Sequence, residues 1–232
     1  MSINILKAIL NKCEFCSKEF RAEKTLLAHS CRLKMREQSR NEPEVKLALL
    51  AYQRFYQLTQ GSSNKTWEHF SSSPYYAGFV KFARYVKDNN IINPTLFIDW
   101  VINKKLKLEQ WASDRLYEEY LAEILSKEGV EAAVERTFLT MQEWADKFSV
   151  SFDQYFYHAG TNRIVHDITR GKISPWVLYG TETGRDVLAA ISEEQLNYIM
   201  KYIEPNIWGN KVRTEKDNTE FVRDACEQAG IK

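Results

Sequence analysis

Glycine and proline are scarce, nine and five in a chain of 232 residues. A sheet-rich fold with many tight turns draws on both, so that class is disfavoured. Sustained period-two alternation of apolar and polar residues is missing as well. No window approaches the ~18–20 apolar residues that cross a bilayer, so no membrane role is expected. The start, MSINILKAILNKC, has too short an apolar run and no small-residue cleavage site, so no secretory leader is expected and the setting reads as intracellular. No Gly-rich phosphate loop, G-x-S-x-G elbow or H-E-x-x-H pair occurs, and the chain is expected to be non-enzymatic. Cysteines number four, and three of them lie between Cys13 and Cys31. That is a metal-binding pattern rather than a disulfide framework.

What is present is helical periodicity. Asn41-Glu-Pro-Glu44 reads as a capping-box-like start with Asn41 as cap, and Ser192-Glu-Glu-Gln195 repeats the logic. Ser73-Pro74, Asn93-Pro94 and Ser174-Pro175 each place a capping side chain before a proline suited to the first helical position. Between these starts the apolar residues recur at i, i+3 and i+4, as in Val45, Leu49, Tyr52 and Phe55, or Tyr76, Phe79, Val80 and Ala83. About nine or ten helices are expected from residue 43 onward. The fold class is therefore all-α, with a small finger and basic segment over residues 1–40 and an all-helical domain over 41–232. The aromatic stripes read as core. Cys226, alone near the C-terminus, reads as a small buried apolar residue.

Cys13 and Cys16 stand at C-x2-C, Phe20 four residues on, Leu26 six beyond that, and His29 three further. This order resembles the two-Cys two-His zinc finger, in which a hairpin carries the cysteines and a helix carries the histidine. The resemblance covers residues 13–31 and implies a structural Zn²⁺ held by Cys13, Cys16, His29 and Cys31. The departure is the last ligand, because Cys31 follows His29 after one residue. On a helix those positions are ~200° apart, so the helix must end at about His29-Ser30 for Cys31 to turn back. Three thiolates and one imidazole would close a tetrahedral site and leave no position for a catalytic water.

Residues 1–40 hold nine Lys/Arg against four Asp/Glu, while the whole chain carries +1. The positions aligned with base readers are Ala22, Thr25 and Ala28, none of which reads a base edge well. The cations Lys12, Lys18, Arg21, Lys24, Arg32, Lys34, Arg36 and Arg40 are candidates for phosphate contact with little sequence information. The expected partner is thus a weakly sequence-selective nucleic acid, DNA or RNA, or a nucleoprotein complex. A protein–protein adaptor that docks through the finger is the alternative. A third reading takes His166-Asp167 as an HD-type metal phosphohydrolase pair, with His69 or His158 and Asp186 completing it. Along most of its length the chain also resembles uncharacterised helical proteins of large tailed bacteriophages. These share a short Cys/Cys/His/Cys finger and stretches matching Asn162–Asp167 and Ile173–Tyr179. That resemblance implies a protein made in the host cytoplasm during infection.

Overall fold

The structure is a computed structural model and describes residues 11–62 and 64–232. Residues 1–10, on which the leader expectation rests, and Ser63 of the Gly61–Lys65 loop lie outside the described residues. Among the described residues 71% are helical and strand is confined to one small hairpin, so the all-α class with an N-terminal hairpin-plus-helix finger holds. The chain divides into two compact units, one within Met1–Asn90 and Pro94–Ala112, the other Ile91–Asn93 with Ser113–Lys232.

The first unit opens with β1 (Asn11–Lys12) paired antiparallel to β2 (Glu19–Phe20), Asn11 opposite Phe20. Then come α1 (Glu23–Ala28), α2 (Arg32–Gln38), α3 (Pro43–Gln60), α4 (Trp67–Ser72), α5 (Tyr76–Asp88) and α6 (Pro94–Asn103). α3 lies against α5 over an aromatic core. Phe79 and Phe82 meet Trp111 edge-on at 5.7 and 5.3 Å, and Tyr52 meets Phe79 at 5.5 Å. Arg54 on α3 holds Asp99 on α6 through Nε at 2.8 Å. The N-cap position of α3 is Glu42 rather than Asn41, with no side-chain capping bond, because Pro43 takes the first helical position and sets the boundary one residue later. It stops at Gly61, whose φ of +65° is the left-handed stop that glycine permits. α5 starts two residues after Pro74. Ser73 instead closes the preceding turn, its Oγ accepting from the Tyr75 N–H at 3.1 Å.

The second unit comprises α7 (Asp114–Ile124), α8 (Val130–Phe148), α9 (Tyr155–His158), α10 (Thr161–Thr169), α11 (Pro175–Gly180), α12 (Glu182–Ala190), α13 (Glu193–Ile203), α14 (Pro205–Thr214) and α15 (Lys216–Gln228). From residue 43 on there are thirteen α-helices among the described residues, more than the nine or ten expected. Short pieces such as α9 and α11 are too brief to show a full apolar period. Ser174 caps α11 as expected, its Oγ accepting from Trp176 N–H at 3.2 Å, and its own N–H donates to Thr137 Oγ1 at 2.9 Å. The Ser192/Gln195 capping box is present. Trp176 meets Trp208 edge-on at 5.6 Å, and Cys226 is buried. Gly171 has φ +72° and a Cβ there would lie 2.5 Å from Leu121, so both backbone and space require glycine.

Candidate metal centre

The finger has little to hold it together without an added partner. None of the α1 side chains is buried, and Cys13 is the one buried residue between Asn11 and Cys31. Phe20 and Leu26 are half-buried, and the Phe20 ring rests on the His29 ring at 4.7 Å. Such a fragment buries too little apolar surface to offset the entropy of ordering it.

Local backbone geometry nevertheless gathers four donor atoms. Between the strands the chain makes a tight knuckle: Cys13 N–H donates to Lys18 O and Ser17 N–H to Cys13 O, both at 2.9 Å, with Ser17 at φ +60°. The turn aims Cys13 and Cys16 inward. α1 ends at Ala28, and His29 takes an extended conformation, φ −71° and ψ 122°. Cys31 is extended too and caps α2, its sulfur accepting from Lys34 N–H at 3.5 Å. The helix therefore stops where the His29–Cys31 spacing requires. Cys16 Sγ lies 3.2 Å from His29 Nε2, Cys13 Sγ lies 4.0 Å from Cys31 Sγ, and all four donor atoms are within 4.8 Å of one another. The cluster could hold a metal ion. It is the sole group of three or more such ligands brought together among the described residues.

The thiols are not equivalent. The backbone N–H of Cys16, seconded by that of Phe15, lowers Cys13 below its ordinary range despite burial. At Cys16 the Lys18 backbone N–H lowers the pKa, but burial and the neighbouring Cys13 and Cys31 outweigh it and the net shift is upward. Sulfurs this close resist sharing negative charge, which is the repulsion that a bound cation relieves.

Of the candidate phosphate-binding cations, Lys12, Lys18, Arg21, Lys24, Arg32 and Arg40 are exposed and Lys34 is half-buried, with Nζ donating to His29 O at 3.3 Å. Arg36 is different. It is only 8% exposed. Its Nη1 donates to Ser71 O and, at 3.3 Å, to Ser73 O, and its guanidinium stacks 4.0 Å from the Tyr76 ring centroid. Beside it Trp67 Nε1 donates to the Glu37 carboxylate at 2.5 Å, and Arg40, paired with Glu37, lies over the Trp67 ring. α2 is thus fastened along α4 and the start of α5, and Arg36 spends its charge inward. It is withdrawn from the phosphate-contacting set. Nothing in the local sequence marks it, since its acceptors lie 35 and 37 residues away.

The HD reading does not assemble a site. Asp167 is fully buried and its carboxylate accepts from Tyr155 Oη at 2.8 Å and Arg163 Nε at 2.5 Å. His166 is largely exposed, with Nδ1 3.4 Å from Asp167. His158 and Asp186 are exposed, and among the described residues no third ligand joins the pair. His69 serves locally instead, its Nδ1 accepting the Thr66 N–H at 3.2 Å to cap α4. No described helix is long and apolar enough to cross a membrane. Compared with models of known protein families, with curated proteins and with solved structures, the chain matches none.

Proposed function

We propose that this chain is a non-enzymatic zinc-finger factor that binds nucleic acid, or a nucleoprotein complex, through phosphate contacts of low sequence selectivity. The convergence of Cys13, Cys16, His29 and Cys31 within 4.8 Å carries the reading. Tetrahedral zinc with Zn–S of ~2.3 Å and Zn–N of ~2.0 Å has S···S edges of about 3.8 Å and S···N edges of about 3.5 Å. The distances of 4.0 and 3.2 Å bracket those edges closely. Four protein ligands leave no open position, so the metal is structural. Three thiolates and Zn²⁺ sum to one negative charge, and residues 11–35 supply six Lys/Arg against three Glu. The holo finger therefore stays cationic.

A second reading, docking onto a protein, is favoured by apolar side chains left in solvent around the finger. Leu27 is 72% and Met35 58% exposed. One pair of measurements decides between the two. Metal analysis should find one zinc per chain, reduced by Cys31→Ser. Gel shifts across salt concentrations should show duplex binding that weakens steeply with salt. Changing Lys18, Arg21 and Lys24 together to Gln should flatten the log–log slope by about 2–3, at ~0.9 per phosphate contact. Zinc without binding to DNA or RNA at low salt would put the docking reading first.

A further inference from the structure

The cations that the sequence singles out end at Arg40, yet α5 adds two more beside α2. Two open concavities of about 450 and 550 Å³ share a wall formed by Tyr76, Ala77, Val80 and Arg84 on α5. The first is also lined by Arg32 and Met35 of α2, the second by Lys81 and Tyr85 of α5 and by Ala112. Three exposed cations line them: Arg32 the first, Lys81 the second, and Arg84 both. Two exposed carboxylates, Glu42 in the first concavity and Asp88 in the second, oppose them in part. Arg36 also lines the first concavity, but the Ser71 and Ser73 carbonyls and the Tyr76 ring occupy its guanidinium.

We infer that this face of α5 is a binding surface for single-stranded nucleic acid, continuing the contact that the finger begins. The inference rests on the nucleic-acid reading of the finger and extends it to Lys81 and Arg84. Continuity supports it, since Cys31 of the metal cluster caps the helix whose first residue is Arg32. The chemistry of the surface selects the form of the ligand. The shared wall also holds Ala77, which is exposed, and Val80, which is buried. A single strand can lay its unpaired bases on guanidinium planes while its phosphates meet the cations. A duplex keeps its bases paired and gains nothing from those planes. An acidic peptide would want enclosed slots for anchoring side chains, and both concavities are open.

The test measures binding of fluorescein-labelled oligo(dT) and of a hairpin duplex to the zinc-loaded full chain over a range of salt. Lys81→Gln with Arg84→Gln changes only exposed side chains and should leave the thermal midpoint in place. On oligo(dT) it should flatten the log–log slope by about 1.4, at ~0.7 per lost contact on a single strand, and Ala77→Glu should weaken binding at every salt concentration. If the parent binds oligo(dT) but the double variant keeps its slope, the α5 surface is overturned and the finger reading stands. If the parent prefers the duplex, the single-strand assignment is wrong. If the parent binds neither, the finger reading fails and the inference with it. A leucine/glutamate amphipathic helix that binds the parent and loses affinity in Ala77→Glu, with no oligonucleotide binding, would give this face to a protein partner instead.

Discussion

Arg36 concentrates several interactions in one side chain. Its Nη1 serves two carbonyls while its plane lies on Tyr76, and burial pulls its pKa down from the usual arginine range without removing the charge. Arg36→Ala should cost about 2–4 kcal/mol, combining charge-assisted hydrogen bonds with lost stacking. Because one nitrogen makes both bonds, Arg36→Lys can remake them but cannot stack, and should recover only part of the loss. Urea denaturation followed by tryptophan fluorescence measures both. The same substitutions should leave the salt slope on nucleic acid unchanged. A flattened slope in Arg36→Ala, with the fold intact, would return Arg36 to the phosphate-contacting set.

At the scale of elements, two joints make different demands. The finger buries little of its own and, on the proposed reading, depends on a metal at its four donors, whereas α2 is held from the side by Arg36, Glu37 and Arg40. Removing zinc with a strong chelator should therefore release β1, β2, α1 and the first turn of α2, with a small loss of circular dichroism. Hydrogen exchange should rise across residues 11–34 and stay low in α3 and α5. Loss of most helicity would mean that the metal supports far more than the finger. The start of α11 is the second joint. There the buried Ser174 N–H has Thr137 Oγ1 as its acceptor, and that hydroxyl donates in turn to Ala133 O. Thr137→Val leaves the Ser174 N–H buried and unpaired, at a cost of about 1–3 kcal/mol. Ser174→Ala removes a cap worth about 1 kcal/mol. Equilibrium unfolding of the two variants should rank Thr137→Val as the more damaging, and the reverse order would show that the cap dominates this joint.

For the whole molecule the sharpest pH dependence lies on the alkaline side. Burial raises Tyr117 to about 12 from an ordinary 10.0, and Tyr120 and Tyr155 are raised as well, chiefly by burial. A phenol whose folded pKa is raised is favoured neutral in the native state. Its contribution is complete below pH ~10 and disappears as pH climbs towards ~12, falling by about 1.4 kcal/mol for each pH unit crossed. Stability should thus be level through neutral pH and fall between pH ~10 and ~12. Tyrosinate absorbance should show some of the tyrosines ionising only together with the loss of ellipticity. Smooth titration of all twelve tyrosines with the fold intact would contradict the burial of these three.

The sequence by itself determined the helical class, since apolar residues at i, i+3 and i+4 are a local pattern that needs no partner to be legible. It also determined which four side chains could meet at a metal. C-x2-C fixes a knuckle within a few residues, and the His29–Cys31 spacing forces the break that the structure places after Ala28. The Ser174 and Ser192 caps were legible for the same reason, their acceptors and donors lying two or three residues away. The Asn41 start was not, because a cap shifted by one residue differs by less than the pattern resolves. Only the tertiary structure decided the fate of the basic segment. Arg32, Arg36 and Arg40 recur at helical spacing with the same charge, yet only Arg36 is buried, because α2 comes to rest where the Ser71 and Ser73 carbonyls and the Tyr76 ring await it. Lys81 and Arg84 join Arg32 for the same reason: their nearness is a product of how helices pack, and packing across a gap of some fifty residues leaves no mark on local spacing.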